Sequence, residues 1–479
     1  MSSEREKKVF LDRFLGELLE HNAGIFAGAG LSIPAGYVNW KSLLKPLADE
    51  LGIDIEAETD LISLAQFHVN DNGRHRLNQE ILDQLGKSSA PTENHKILAR
   101  LPLETFWTTN YDKLIEKSLE QAGKLPDVKY TVNQLATTRK GRDAVVYKMH
   151  GDVDHADSAV ITKDDYERYF LDKGPYVNAL SGDLVSKTFL FIGFGLSDPN
   201  LDYVLSRIRI SFKEHQRQHY CIFKVVERKD CPSDESFQHK SIRQGLLIKD
   251  LQRFNIKTIL VNDYSEITDM LKTLEHRYRR NTVFLSGSAH EFTPWDRESV
   301  ERFLCSLGEI LVDKGFKVAS GVGLGIGNAF ITGVIRKVYQ KPGLRIADYA
   351  ILRPFPQYIE DADERAETWS EYRKDLIGRA GVAIFFMGNK DLDGKTALAG
   401  GVEEEFKIAE EMNLSVLPIG ASGWMAKELW DRVIASWAGF FPGSTGELKK
   451  SFQKLGEDVD DPDQLLSRII ETLELICKE

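Results

Sequence analysis

The stretch AGIFAGAGLS, residues 23–32, decides the fold. A short strand-like run passes straight into Gly28-Ala29-Gly30, a turn of small residues that leaves the backbone open to close approach. The same plan recurs through the first half in ETFWTTN, AVVYKM, TFLFIGFG, HYCIFKV and KTILVN. These runs alternate with helix-like segments such as FLDRFLGELLEH and NLDYVLSRIRISFKEH. Such alternation predicts a parallel α/β sheet. The second half repeats it with TVFLSGS, FKVASGVG, GVAIFFMG and SVLPIGA. The expected architecture is therefore two doubly wound α/β domains in tandem, with ligands held at the carboxyl ends of the strands.

The chain has 479 residues, enough for two large units or about three of ordinary size. With 42% hydrophobic residues, 25 Phe, 15 Tyr and 7 Trp, it can bury real cores, which excludes global disorder. No apolar run reaches the ~18 residues of a membrane span. The charged start MSSEREKKVF lacks the apolar stretch of a signal peptide, so the chain reads as soluble and cytoplasmic, with no membrane partner. Its four cysteines form no CxxC pair, which excludes a disulfide framework and a cysteine-rich zinc site. A net charge of −11 disfavours nucleic acid as a partner. Residues 1–280 carry a net −2 (39 Lys+Arg, 41 Asp+Glu) and residues 281–479 a net −9 (23 against 32). This asymmetry, with a helical pattern ending in HRYRR before the new strand TVFLSGS, places the expected domain boundary at 280/281.

Four motifs of the first half stand at strand ends. GAGLS offers backbone amides to a pyrophosphate, with a following helix N-terminus favouring negative charge, although Gly-Ala-Gly equally serves tight packing. It is not GxGxxG, so a hydride-transfer fingerprint is not what is written. Thr109-Asn110-Tyr111-Asp112 follows the second run; Asn and Asp there suit ribose hydroxyls, a carboxamide or a water, or simply cap a helix. His150-Gly151-Asp152 puts an imidazole at a third strand end, where it can serve as a general base. Gly193-Phe194-Gly195 closes the fourth run, with Asp198 placed to cap the next helix or to bind a ribose diol.

In this order GAGLS, TTNYD, HG and GFG-x-x-D resemble the sirtuin family over roughly residues 10–275. By that resemblance Gly28, Ala29 and Ser32 line an NAD+ pyrophosphate and ribose, together with Gly193, Phe194 and Asp198 from the last motif. Asn110 positions the nicotinamide ribose or a water, Asp112 lies on the nicotinamide side, and His150 is the catalytic histidine. Two departures matter. The paired CxxC zinc ligands of deacylating sirtuins are absent, so no zinc is expected, and IPAGYVNW replaces the family's acidic-aromatic-arginine run. What remains is machinery for breaking the nicotinamide–ribose bond, with water as acceptor: an NAD+ hydrolase.

In the second half, Gly321-Val322-Gly323-Leu324-Gly325-Ile326-Gly327 follows a strand and leads into a helical stretch, a candidate phosphate cradle. Gly287 and Ser288 end an earlier strand, and GGVEEEF opens a later helix. This half resembles the SLOG superfamily, in which GGVEEEF stands as a degenerate form of a GG-x-G-T-x-x-E segment; ligand binding rather than catalysis is expected of it. Arg373 and Lys390 flank the run GVAIFF as candidate phosphate partners, with Glu405 for ribose hydroxyls. The tandem order, a zinc-less sirtuin-like domain and then a SLOG domain, both Rossmann-like, resembles the effectors of the bacterial Thoeris antiphage defence system. That resemblance implies activation by a cyclic ADP-ribose isomer, a TIR-domain enzyme as the partner that makes it, NAD+ depletion on infection, and a homotetramer. Two other readings stand beside it: a sirtuin-type protein deacylase, which the missing CxxC pairs disfavour, and a nucleotide-sensing scaffold without turnover.

Overall fold

The computed structural model describes residues 4–478 apart from 196–197, 213–214, 355 and 357, and of residue 362 the backbone alone. Leu196 and Ser197, the two variable positions of GFG-x-x-D, lie outside the described residues. The chain divides into two compact units, Met1–Glu275 and His276–Glu479, the division falling inside the helix Ser265–Arg280.

Unit 1 is built on seven strands: β1 (Ala23–Ala27), β2 (Thr105–Thr108), β3 (Pro126–Lys129), β4 (Ala144–Lys148), β5 (Thr188–Ile192), β6 (His219–Lys224) and β7 (Ile256–Val261). They pair in the order β3-β4-β2-β1-β5-β6-β7, all parallel. β1 and β5 are buried throughout, which explains their near-continuous apolar reading. The chain leaves β1 toward β2 and, after β4, crosses back to β5 on the other side of β1. The crevice between β1 and β5 is therefore the point where the winding reverses. An aromatic core (Phe26, Trp107, Tyr169, Tyr176, Phe189, Phe191) packs against this sheet.

Between β1 and β2 the chain builds a helical lobe that the sequence motifs do not announce. Its helices Trp40–Glu50, Leu61–Asn72 and Arg74–Leu85 pack Leu43, Leu44, Leu47, Leu64, Leu77 and Ile81 together and onto Tyr111 and Val153. Asn39 and Asp60 start the first two by accepting Ser42 and Ser63 amides at 2.8 and 3.0 Å.

Unit 2 has a five-stranded parallel sheet, β10-β9-β8-β11-β14, from β8 (Thr282–Ser288), β9 (Lys317–Ser320), β10 (Ala350–Leu352), β11 (Val382–Met387) and β14 (Ser415–Pro418). Its winding reverses between β8 and β11. An antiparallel hairpin, β12 (Asn389–Leu392) and β13 (Lys395–Leu398), follows β11 directly. Both units are thus doubly wound α/β sheets, as the alternation predicts. The short edge strands β3 and β10 and the hairpin are additions to the expected set.

Candidate functional site

The carboxyl ends of β1, β2, β4 and β5 supply four turns that converge on one cleft, lined by Ala29, Ser32, Asn110, Asp112, His150, Gly193, Phe194 and Asp198. The two glycine turns are fitted to each other. Gly193 has φ +64°, and a Cβ on it would lie 2.2 Å from Leu31 N; one on Gly28 would lie 2.5 Å from Gly193 O. Gly30 N–H donates to Gly193 O at 2.8 Å. These glycines are required first by the contact between turns.

One expectation for this loop does not hold. GAG leads into two successive 3₁₀ turns, Ala29–Leu31 and Ile33–Ala35, and no α-helix begins until Trp40. Pro34 and the left-handed Gly36 (φ +91°) stop helix propagation there, so no long helix N-terminus backs the GAG turn. Gly28, Gly30, Leu31 and Ser32 use their amides on protein carbonyls. Ala29 N–H is left without a backbone acceptor among the described residues.

A hydrogen-bond chain ties the first turn to the second. Asn110 Nδ2 donates to Gly28 O at 3.1 Å and to Ser32 Oγ at 3.2 Å, and Ser32 Oγ donates to Asp112 Oδ2 at 2.8 Å. The Asn110 amide donates to Thr108 Oγ1 at 2.9 Å. Asn110 is 8% exposed, and no donor among the described residues meets its Oδ1. Asp112 Oδ1 accepts Leu114 N–H at 3.0 Å, so this carboxylate serves both the helix Leu114–Gln121 and the GAG turn.

His150 lies at the end of β4, 2% exposed, with its ring edge-on to Tyr166 and Tyr169. Nε2 stands 3.2 Å from Asp198 Oδ2. The approach is close enough for charge pairing but not aligned as a hydrogen bond, and neither ring nitrogen has an aligned partner among the described residues. Asp198 also accepts Tyr166 OH at 3.1 Å and caps the helix Pro199–Phe212 through Asn200 and Leu201 amides, each at 3.0 Å. Burial works against its charge, yet His150 and these donors outweigh it and hold its carboxyl below the usual range. The cap reading of Asp198 is thus realised, with a direct relation to His150 added. Burial and the Asp198 carboxylate push the Tyr166 hydroxyl far up, so it stays a neutral donor.

The helical lobe walls the cleft with Tyr37, Val38, Trp40, Leu43, Ile62 and Leu85. Sequence reading missed these residues and Tyr166. Apolar residues at helical spacing read as ordinary core, and only the run GYVNW directly after GAGLSIPA marked their proximity to the motif. The arrangement, an apolar wall facing buried Asn, His and Asp side chains at a sheet switch point, suits a heterocycle joined to a sugar.

In unit 2 the other predicted residues gather at the carboxyl end of β8. Ser286 Oγ donates to Glu405 Oε2 at 2.5 Å, Arg373 Nε stands 3.5 Å from Glu405 Oε1, and Arg373 Nη1 donates to Glu404 at 2.8 Å. Burial pushes the Glu405 carboxyl up against the opposing pull of Ser286 and Arg373. Arg373 also lies over the Trp369 ring, 5.9 Å from its centroid. The glycine loop packs onto β8: a Cβ on Gly323 would lie 2.1 Å from Gly287 O, and one on Gly325 (φ +80°) 2.1 Å from Ala289 O. Gly321 is buried at the start of that loop.

Ser288 Oγ donates to Asn389 O at 2.9 Å, and Asn389, fully buried, accepts His290 and Glu291 amides through Oδ1. Lys390, the next residue, is exposed on the hairpin. The structure thus brings Arg373 and Glu405 into contact, while Lys390 follows Asn389, whose carbonyl Ser288 holds at the end of β8. Among the described residues no group of three His, Cys, Asp or Glu is placed to hold a metal ion, and no helix is long and apolar enough to cross a membrane.

Residues 104–244 match the SIR2-like domain, and residues 266–476 match the Sir2- and TIR-associating SLOG family. Over 99% of the chain, and 100% of its own length, the NAD(+) hydrolase ThsA of Acinetobacter baumannii (strain 532279) is 53% identical. The chain belongs to the ThsA family. ThsA of Bacillus cereus (strain MSX-D12) is 50% identical over 98% of both chains, and ThsA of Cytobacillus dafuensis is 45% identical over 98% of this chain and 96% of its own. The order expected from the motifs, a sirtuin-like domain and then a SLOG domain, is the order of this ThsA-family chain.

Proposed function

We propose that the chain is an NAD+ hydrolase that cleaves NAD+ to ADP-ribose and nicotinamide, with its SLOG unit controlling the reaction. The observation that carries this reading is the convergence of buried Asn110 and His150 with the half-buried Asp198 beside an apolar wall at the β1–β5 switch point. Relatives over the full length named as NAD(+) hydrolases support it.

The chemistry asks for little. Nicotinamide leaves C1′ of the ribose with the bonding electron pair through an oxocarbenium-like centre, and a water oxygen forms the new bond. In this role Gly28, Ala29, Gly193 and Phe194 accommodate the pyrophosphate and ribose, and Ser32 and Asp112 hold the Asn110 side chain. Asn110 Oδ1 positions the water or a ribose hydroxyl. His150 takes the proton, and the Asp198 carboxylate, 3.2 Å away, offsets the charge this creates on the ring. The wall from Tyr37 to Leu85 receives the nicotinamide ring and excludes bulk water.

For the second unit we take the ligand to be a cyclic ADP-ribose isomer. Arg373 and Lys390 pair with its phosphates, Glu405 binds ribose hydroxyls, and Gly287, Ser288, Gly321, Gly323 and Gly325 give backbone access. The source of the ligand is a TIR-domain enzyme, in keeping with the association named for this SLOG family. Binding shifts a homotetramer in the bacterial cytoplasm toward its active state, and NAD+ depletion then arrests phage replication, as in Thoeris defence. The decisive experiment measures nicotinamide release by the purified protein with and without micromolar cyclic ADP-ribose isomers, with Asn110→Ala as control. Release that depends on ligand and vanishes in the control is the expected result. No release under any isomer would refute the gated hydrolase and leave a nucleotide-sensing scaffold.

A further inference from the structure

Beneath the cleft lies a charge cluster that the proposed chemistry does not use. Lys148, the last residue of β4, is 0% exposed. Its Nζ donates to Tyr111 O at 3.0 Å, to Asp112 O at 2.7 Å and to Asp152 Oδ2 at 2.5 Å, and pairs with Glu116 Oε1 at 3.0 Å. The fold alone does not call for this. Exchanging a buried ion pair for apolar side chains of similar volume is commonly neutral or stabilising, and most of β4 is already apolar: Ala144, Val145 and Val146.

What an apolar side chain cannot supply is donors. The two carbonyls belong to the turn that carries Asn110, and the Asp152 carboxylate belongs to the turn that carries His150. The connection extends further. Asp112 holds Ser32 of the GAG turn, Asp152 Oδ1 accepts Asp154 N–H at 3.0 Å, and Val153 N–H donates to Tyr111 O at 3.0 Å, the same carbonyl that Lys148 engages.

We propose that Lys148 is a positioning residue: its ammonium pins the Asn110 turn to the His150 turn, so that the two side chains face the same reacting atoms. This deepens the hydrolase reading and rests on it. Burial pulls the ammonium toward neutrality, but Glu116 and Asp152 outweigh burial and raise its pKa, so the pin stays charged at neutral pH.

The test uses the full-length protein with its activator. Lys148→Met combined with Glu116→Gln and Asp152→Asn removes the pin without leaving a buried charge unpaired. Melting that stays close to wild type, a KM within about threefold and a kcat reduced about 100-fold are expected, the size that a misplacement of about 1 Å produces. Hydrogen exchange should show lost protection in residues 108–114 and 149–154, with the β1 and β5 amides unchanged. A folded variant with kcat within about threefold of wild type, or one altered in KM alone, overturns the proposal.

Should the triple variant not fold, Asp152→Leu alone removes the acceptor on the His150 turn, while Glu116 still balances the Lys148 ammonium. It is expected to lower kcat about tenfold, roughly one charge-assisted hydrogen bond, and an unchanged kcat refutes the pin. If wild type itself releases no nicotinamide, the hydrolase reading fails while exchange still decides on Lys148. Protection lost from just those two turns sustains the proposal, and unchanged protection overturns it.

Discussion

Gly193→Ala tests the fit between the two glycine turns. The new Cβ would land 2.2 Å from Leu31 N, 2.8 Å from Gly30 C and 3.0 Å from Gly28 O, all backbone atoms that no rotamer change can move aside. Restoring ordinary contact with Leu31 N requires the turns to part by about 1 Å. The left-handed φ of +64° costs an alanine about 1 kcal/mol, and overpacking adds about 1–3 kcal/mol. Chemical denaturation should therefore show a loss of about 2–4 kcal/mol. Because Gly28 O anchors Asn110 Nδ2, parting the turns also displaces the side chain proposed to place the water, and kcat for nicotinamide release should fall about 100-fold. Gly182→Ala is the matched control. It sits on the helix Gly174–Ser186 with nothing within 4 Å of the added methyl group, and should stabilise the protein by about 0.5–1 kcal/mol with no change in rate. A Gly193→Ala protein within about 0.5 kcal/mol of wild type in stability and about threefold in kcat would refute the reasoning.

Further outcomes follow from the same geometry. Asn110→Ala and His150→Ala should each abolish nicotinamide release while calorimetry still detects binding of the cyclic ADP-ribose isomer; Arg373→Ala should do the reverse, losing ligand binding and, with it, activation. Asp198→Asn keeps a good helix cap but removes the carboxylate beside His150. Steady-state kinetics should show kcat reduced by about 100-fold with little change in melting temperature.

Acid should destabilise unit 1 through His219. Burial, with Arg217 adding to it, lowers its pKa from 6.5 to about 3, and its Nδ1 accepts Phe189 N–H at 3.1 Å, which requires the unprotonated nitrogen. The unfolded chain binds a proton that the folded one refuses. This contribution is therefore complete above pH 6.5 and shrinks as pH falls toward 3, by roughly 5 kcal/mol at most. Denaturant melts of wild type and His219→Gln between pH 7 and 4.5 should converge as the pH is lowered; parallel curves would count against the assignment.

The parts of the fold that were legible are those whose burial is simplest. β1, β2, β4 and β5 lie in the middle of their sheet, and each reads as an apolar run ending in a motif. The strand PDVK at 126–129 gave no such signal because it lies at the edge, where Asp127 pairs with Lys129 at 2.7 Å and with Arg142 at 2.9 Å. Asp127 and Lys129 are themselves buried, and paired charges inside an edge strand erase the apolar strand pattern. The β12–β13 hairpin did carry a signal, Asp393-Gly394, with left-handed φ of +51° and +76°; short polar strands around it concealed what the turn announced. Asn389 was out of reach for a different reason: its partners His290 and Glu291 lie about a hundred residues away, and a lone Asn after an apolar run does not name them.

The same contrast bears on how GAG should be understood. Packing and ligand binding were opposed explanations of its glycines; the structure shows the packing, and the role proposed for Asn110 depends on it. Gly28 has no room for a side chain because Gly193 and Phe194 press on it, and that same approach fixes the carbonyl to which Asn110 Nδ2 donates. Ser32, held between Asn110 and Asp112, carries the constraint to the second turn, and Lys148 carries it from there to the turn of His150. A residue needed only for packing could be exchanged together with its neighbour to restore the volume. Gly28 and Gly193 cannot be treated so, because any compensating shift moves a hydrogen-bond acceptor on which the orientation of Asn110 depends. The short motif is conspicuous in the sequence because steric fit and side-chain orientation fall on the same few atoms.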